Sequence, residues 1–286
     1  SSNNNLTNNT ASNNAYAGIG LNLSSNYNNL TSNTAGNNTY GIYLFGSGNN
    51  SLTDNNAWNN SQEGIYLNLS DCNNLSSNNA GNNTNGIYVV NSGNNNLTNN
   101  TARNNTWIGI YLGGSDNNNL SSNDARNNTN TGIFLGWADN CNLTNNTARN
   151  NGGGINLYYS TNNTLTDNAA SNTAYDFYSD QNSYNNTVVN LTISSFPTTI
   201  SFTCGDGVWI KGVDTPPPAT YPNRKTDIGR YVNATNLTAS SWLFLNVSYN
   251  DTDLWNANET SLRMWRYNGT DWVGEVAPTN GVNTTG

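Results

Sequence analysis

Apolar residues return along this chain on a fixed beat. Leu6, Leu30, Leu52, Leu75, Leu97, Leu120, Leu143 and Leu165, then Val188, recur every 22 to 24 residues. Five residues after each Leu stands an alanine: Ala11, Ala35, Ala57, Ala80, Ala102, Ala125, Ala148 and Ala170. An Ile follows at 19, 42, 65, 87, 110, 133 and 155, with Leu or Val two positions further on. The Ile-x-Leu alternation puts two branched side chains on one face of a strand.

A unit of about 23 residues with three apolar stations reads as one coil of a parallel β-helix, three short strands joined by three turns. One coil cannot bury its own apolar residues. Stacked coils can, because each apolar station becomes an interior ladder and the strand amides and carbonyls pair with the coils on either side. The spacing therefore predicts an all-β chain: a right-handed parallel β-helix of about eight to nine coils over residues 1–195. Past Asn190 the beat is lost, and Pro216, Pro217, Pro218 and Pro222 mark a boundary. Alternating runs around Asn268-Gly269, a strong hairpin signal, predict a small β-sandwich-like module over 196–286.

Asparagine keeps the same beat. Asn9, Asn33, Asn55, Asn78, Asn100, Asn123, Asn146 and Asn168 stand three after the repeat Leu. Asn13, Asn37, Asn59, Asn82, Asn104, Asn127, Asn150 and Asn172 stand seven after it. Asn accepts left-handed corners, and stacked amides bond along an axis, so both series are expected to be structural. Ser24, Ser47, Ser70, Ser92, Ser115 and Ser160 are expected to form a further corner ladder.

Only 9% of the 286 residues are charged, and 9 Lys+Arg against 17 Asp+Glu give a net charge of -8. That excludes clustered cations for nucleic acid or an anionic membrane. No apolar run of about 18 residues is present, so no bilayer span is expected. The chain opens mid-repeat at Ser1 without a signal peptide, as a mature chain or an internal fragment would. Both ends are expected to be incomplete, either because the chain is a fragment or because a neighbouring subunit covers an open edge in a head-to-tail polymer.

Units such as NNLTSNTAGNNTYGIYL and NNLSSNNAGNNTNGIYV resemble the β-helix repeats of NosD-like proteins and of methanogen surface proteins. The resemblance covers nearly all of residues 1–190 and speaks to fold more than function. It implies an immunoglobulin-like module after the coils. The NosD likeness also implies copper delivery, but the chain has no histidine and one methionine, and Cys72, Cys141 and Cys204 are scattered. Neither copper nor another cofactor is expected; structural calcium at Asp/Asn-rich corners is chemically open. Cys72 and Cys141 would lie three coils, roughly 14 Å, apart, too far for a disulfide.

Catalysis on such a fold needs clustered carboxylates on an outer face. Asp116 and Asp139 share a repeat position, but it is a corner that elsewhere holds Gly48, Gly93, Asp71 or Thr161, so turn chemistry is expected there. Arg103, Arg126 and Arg149 share another position, and their repulsion predicts a solvated row or one facing an acidic surface. Between the buried residues of Ile-x-Leu, the intervening side chain points outward: Tyr43, Tyr66, Tyr88, Tyr111 and Phe134 form an aromatic stripe. The stripe either stabilises the ladder or meets another subunit or carbohydrate. Sequons are abundant, with Asn233, Asn236, Asn246 and Asn268 the better glycan candidates.

The leading expectation is a non-enzymatic, N-glycosylated, self-associating subunit of an archaeal surface layer, sheath or filament. An adhesin or carbohydrate-binding surface protein comes second, and a polysaccharide lyase or hydrolase third.

Overall fold

The computed structural model describes residues 1–193, 198–215, 229–254, 264–267 and 270–274. The chain winds as a parallel β-helix. A short-strand sheet begins Asn5–Thr7, Asn29–Thr31, Ser51–Thr53 and continues one strand per coil to Thr187–Ile193. A long-strand sheet begins Ala17–Asn22, Tyr40–Phe45, Glu63–Asn68 and continues to Tyr175–Ser179. The third wall is thinner: single bridges run from Thr10↔Thr34 to Asp124↔Thr147, then widen into the strands Thr147–Arg149 and Ala169–Ser171.

The register matches the sequence beat. Leu6 lies opposite Leu30, Leu30 opposite Leu52, and so on to Leu165 opposite Val188. From Leu30 to Leu165 the repeat leucines have no exposed surface, and neither do the alanines from Ala35 to Ala170 or the isoleucines from Ile42 to Ile155. These ladders form one apolar core.

The glycine before each Ile is demanded by that core. A Cβ on Gly86 would lie 2.5 Å from the carbonyl oxygen of Gly109 and 2.8 Å from the Cβ of Ala102. The strand changes face across this glycine, so the residue before it and the residue after Ile both point outward: the Tyr40 and Tyr43 rings stack with centroids 5.5 Å apart.

The asparagines divide their work more finely than their spacing suggests. Those seven after Leu, from Asn13 to Asn150, are left-handed corners with φ between 56° and 63°. The residue that follows turns its amide inward. Asn38, Asn60, Asn83, Asn105, Asn128 and Asn151 form the buried ladder, closed by Asn172 one residue earlier in its coil. The ladder three after Leu is continuous too. The Nδ2 of Asn100 donates to the carbonyl of Leu75 and to Oδ1 of Asn123, while its own Oδ1 accepts both nitrogens of Asn78. A third buried ladder, two before each Leu, runs Asn28, Asn50, Asn73, Asn95, Asn118, then Cys141, Asn163 and Asn186. In the first full coil the serine ladder is entered by Ser25, not Ser24: the Ser25 amide donates to Ser47 Oγ, and Ser24 is a left-handed corner.

Beyond the coils the pairing reverses. Thr198–Gly205 runs antiparallel to Thr187–Ile193 and pairs with Trp242–Ser248; Val208–Val213 runs antiparallel to Tyr175–Ser179 and pairs with Tyr231–Asn236. Ile200, Phe202, Val208 and Ile210 join the same core. A small antiparallel pair, Trp265–Tyr267 with Trp272–Gly274, lies near the C-terminus. The Asn268-Gly269 turn and the proline stretch fall outside the described residues. Among the described residues, no helix is long and apolar enough to cross a membrane.

Candidate functional site

The outer face of the long-strand sheet gathers the chemistry. Its central column is Tyr43, Tyr66, Tyr88, Tyr111 and Phe134, each opposite the next. Successive ring centroids are 5.0, 5.6, 4.5 and 5.4 Å apart. Tyr40 and Tyr16 extend the cluster at the N-terminal end. Tyr43 is buried against its neighbours, and the next four are half-buried, so the column offers ring surface to solvent without standing free of the sheet. Gly113 lets Tyr111 lie flat, since a Cβ there would meet that ring at 2.5 Å. Burial raises the phenol pKa of Tyr43 and Tyr88 to about 12, with neighbouring phenols adding to it, so both are hydrogen-bond donors at neutral pH.

Beside this column lies a residue that spacing alone does not single out. Glu63 stands before its glycine, where other coils hold Tyr40, Asn85 or Thr131. Glu63 is only 8% exposed, and its carboxyl accepts a 3.0 Å bond from Asn85 Nδ2, whose Oδ1 accepts the Ile108 amide. Burial raises the Glu63 pKa against the lowering effect of the Asn85 bond. The carboxylate in turn adds to the raised pKa of Tyr40, Tyr66 and Tyr88, in each of which burial is the largest cause. The face thus combines ring surfaces, phenol donors and a carboxyl biased toward its protonated form. Such a set can stack on a sugar ring, bond its hydroxyls and exchange a proton. The available signal was a lone glutamate among the repeats in the unit SQEGIYL.

The other candidates lie elsewhere. Asp124 stands between two members of the arginine row: Arg126 grips it with Nε and a terminal nitrogen at 2.7 and 2.8 Å, and Arg103 also pairs with it. Burial, then Arg126, lowers the pKa of Arg103. Asp124 thus offsets part of the repulsion between Arg103 and Arg126 within the coil stack itself. Asp116 and Asp139 are corner residues whose Oδ1 atoms accept the amides of Asp139 and Thr161 at 2.8 and 2.6 Å. Asn233, Asn236 and Asn246 are exposed, and Asn268 lies outside the described residues.

Metal ligation finds no suitable donor set. Among the described residues, no group of three or more His, Cys, Asp or Glu could hold an ion. Cys72 is an exposed left-handed corner, whereas burial raises the thiol pKa of Cys141 to about 12 and of Cys204 to about 11. Buried neutral thiols without imidazole do not make a copper site.

These features define a parallel β-helix protein with an aromatic outer face. Residues 1–107 match the family model for the right-handed beta helix region. Residues 55–201, just over half of the chain, match the model described as periplasmic copper-binding protein (NosD), and the chain belongs to that family. Its lack of histidine sets its metal chemistry apart from that description. No curated protein matches it.

Among solved structures, the chain is similar to the periplasmic alginate epimerase AlgG (TM-score 0.52, 22% identity, 55% of this chain and 38% of that one). A point mutant of that epimerase gives a TM-score of 0.56 at 22% identity, over 61% and 47%. The A-module of an Azotobacter vinelandii mannuronan C-5 epimerase gives 0.51 at 18% identity, over 58% and 51%. The chain thus spans between 38% and 51% of the lengths of these structures. At such identities the likeness is one of fold. It nevertheless corrects the expectation of a non-enzymatic chain, because the coil shared here is one on which enzymes are built.

Proposed function

We propose that this chain works outside the cytoplasm as a polysaccharide-engaging β-helix protein, with the outer face of the long-strand sheet as its sugar platform. The observation that carries this reading is the ladder of stacked rings from Tyr43 to Phe134, with Glu63 and Asn85 beside it. A polymer lying along the helix axis meets a ring every ~4.8 Å, close to the advance of one sugar residue per rung. Rings cover the apolar faces of sugars, and phenol and amide groups bond the hydroxyls. Glu63 is the group placed for proton transfer to a bound glycan. Alginate and mannuronan epimerases on the same fold, and the periplasmic description of the family, support the class and location.

The test is affinity electrophoresis through gels containing soluble polysaccharides. The chain is retarded, and Tyr66→Ala with Tyr88→Ala abolishes the retardation while the fold is kept. Unretarded migration of the unaltered chain through neutral and anionic polymers alike would overturn the reading.

A second reading is a self-associating, N-glycosylated scaffold, in which the stiffness of the coil is itself useful. The uninterrupted buried amide ladders favour it. Sedimentation of the purified native chain, with intact mass, tests for polymers and for glycans on Asn233, Asn236 or Asn246.

A further inference from the structure

Where the central aromatic column stops, a second aromatic group begins at the sheet's corner. After Phe134 the column passes to Asn156. One step sideways, Trp137, Tyr158 and Tyr159 cluster: Trp137 stacks on Tyr159 at 5.7 Å and 20°, and meets Tyr158 edge-on at 5.2 Å.

The backbone gives this cluster a cost. Trp137 and Tyr159 hold left-handed φ angles of 51° and 49°, at a corner that Gly46, Asn91 and Gly114 fill in other coils and Leu23 and Leu69 in two more. A side chain with a bulky Cβ substituent is strained there, as Gly is not. The rings do not recover that strain by burial, since Trp137 remains 56% exposed and Tyr159 42% exposed. Two adjacent coils place aromatic rings on this corner, and the rings stack on each other. Strained backbone clusters at ligand-binding sites, and at this corner it carries two exposed, stacked rings.

The surroundings narrow the ligand. The acidic side chains nearest the rings are Asp139, half-buried and two residues after Trp137, and Asp180, buried and accepting the Tyr159 amide at 2.9 Å. The arginine row stands on the alanine wall, with Arg126 held by Asp124, and Lys211 binds the carbonyl of Asn172. Acidic side chains beside exposed rings disfavour an anionic polymer, while the ring faces can stack on a neutral one.

We infer that Trp137 and Tyr159 form a second sugar-stacking subsite, which extends the tyrosine platform and selects uncharged polysaccharide over uronate polymers. This rests on the platform reading above. Trp137→Asn provides the discriminating test, because Asn91 already fills the same corner two coils earlier.

Affinity electrophoresis with hydroxyethylcellulose and galactomannan, and with alginate as the anionic probe, is run beside thermal unfolding. The expected result is weaker binding of the neutral polymers by Trp137→Asn, by about tenfold, or ~1.4 kcal/mol, with a Tm unchanged or raised. Trp137→Phe keeps most of the binding. Binding lost in the Tyr66 and Tyr88 variants but unchanged in Trp137→Asn overturns the subsite and leaves the platform standing. A lowered Tm in Trp137→Asn makes the ring structural and overturns the subsite as well. Stronger retardation by alginate than by the neutral polymers overturns the selectivity, and no retardation by any polymer overturns both.

Discussion

The coils up to Ile193 and the antiparallel strands after them use one core but satisfy their polar groups by different means. In the coils, buried Asn and Ser side chains hand hydrogen bonds to the next coil, so polar residues sit inside at no loss. In the antiparallel end, apolar alternation carries the packing: Val208, Ile210 and Gly212 are buried while Trp209 and Lys211 are half-buried, and Trp242–Ser248 alternates half-buried with exposed. The junction needs something else. Asp176, with no exposed surface, accepts the Asn172 amide at 2.8 Å and the Gly212 amide at 2.6 Å, which ends one asparagine ladder and ties the first antiparallel strand to it. Asp180 does the same beside it for Tyr159 and Ser183. A repeated ladder is self-satisfying only while it repeats; its last rung requires an acceptor of another kind.

The sharpest way to break the contrast is Asn100→Ala. It leaves the buried Asn78 backbone N–H without its partner and removes one bond each from Asn78 Nδ2 and the Leu75 carbonyl; at ~1–3 kcal/mol for the unsatisfied group and ~1 kcal/mol for each lost bond it lowers the unfolding free energy by about 3 kcal/mol. Urea unfolding measures the loss, and hydrogen exchange should quicken in the coils on both sides. Asp176→Asn comes next. Its amide faces two backbone N–H groups with one acceptor, a cost of ~2 kcal/mol. Exchange should quicken in Val208–Val213 while the central coils stay protected; equal loosening of both would deny the junction its separate role.

The smallest effect belongs to Glu63→Gln, on the outer face. The folded pKa of Glu63 lies above its ordinary 4.5, so folding disfavours the ionised form. The unaltered chain therefore loses stability as the pH rises from about 4.5 through the folded pKa, and the loss then levels off. Glu63→Gln lacks this contribution, so it should be the more stable protein at pH 7 and the advantage should vanish near pH 4. Tm against pH for the two proteins measures it, and an advantage that grows on acidification would contradict the burial of this carboxyl.

Much of the coil was legible from the chain because one residue per station repeats at one spacing. Leu, Ala and Ile each pair with their own kind, and five rings fall on one column. Neighbouring asparagines were harder to separate, since Asn37 and Asn38 differ in exposure only after the corner turns one of them inward. The same ambiguity hid Ser25 behind Ser24. Glu63 and Trp137 stood out too little because each departs from the repeat once, and a single departure has no period to give it away.

What the sequence by itself determined is the winding: the beat of its apolar residues sets the register of every coil, because a slip would carry leucines from core to solvent. Only the folded chain decided the chemistry of its surface. Asp124 reaches Arg103 from the following coil, Glu63 meets phenols from the coils on either side, and the Trp137 ring finds Tyr159 22 residues later. These are contacts between coils, and they exist because stacking at ~4.8 Å turns distant positions into neighbours.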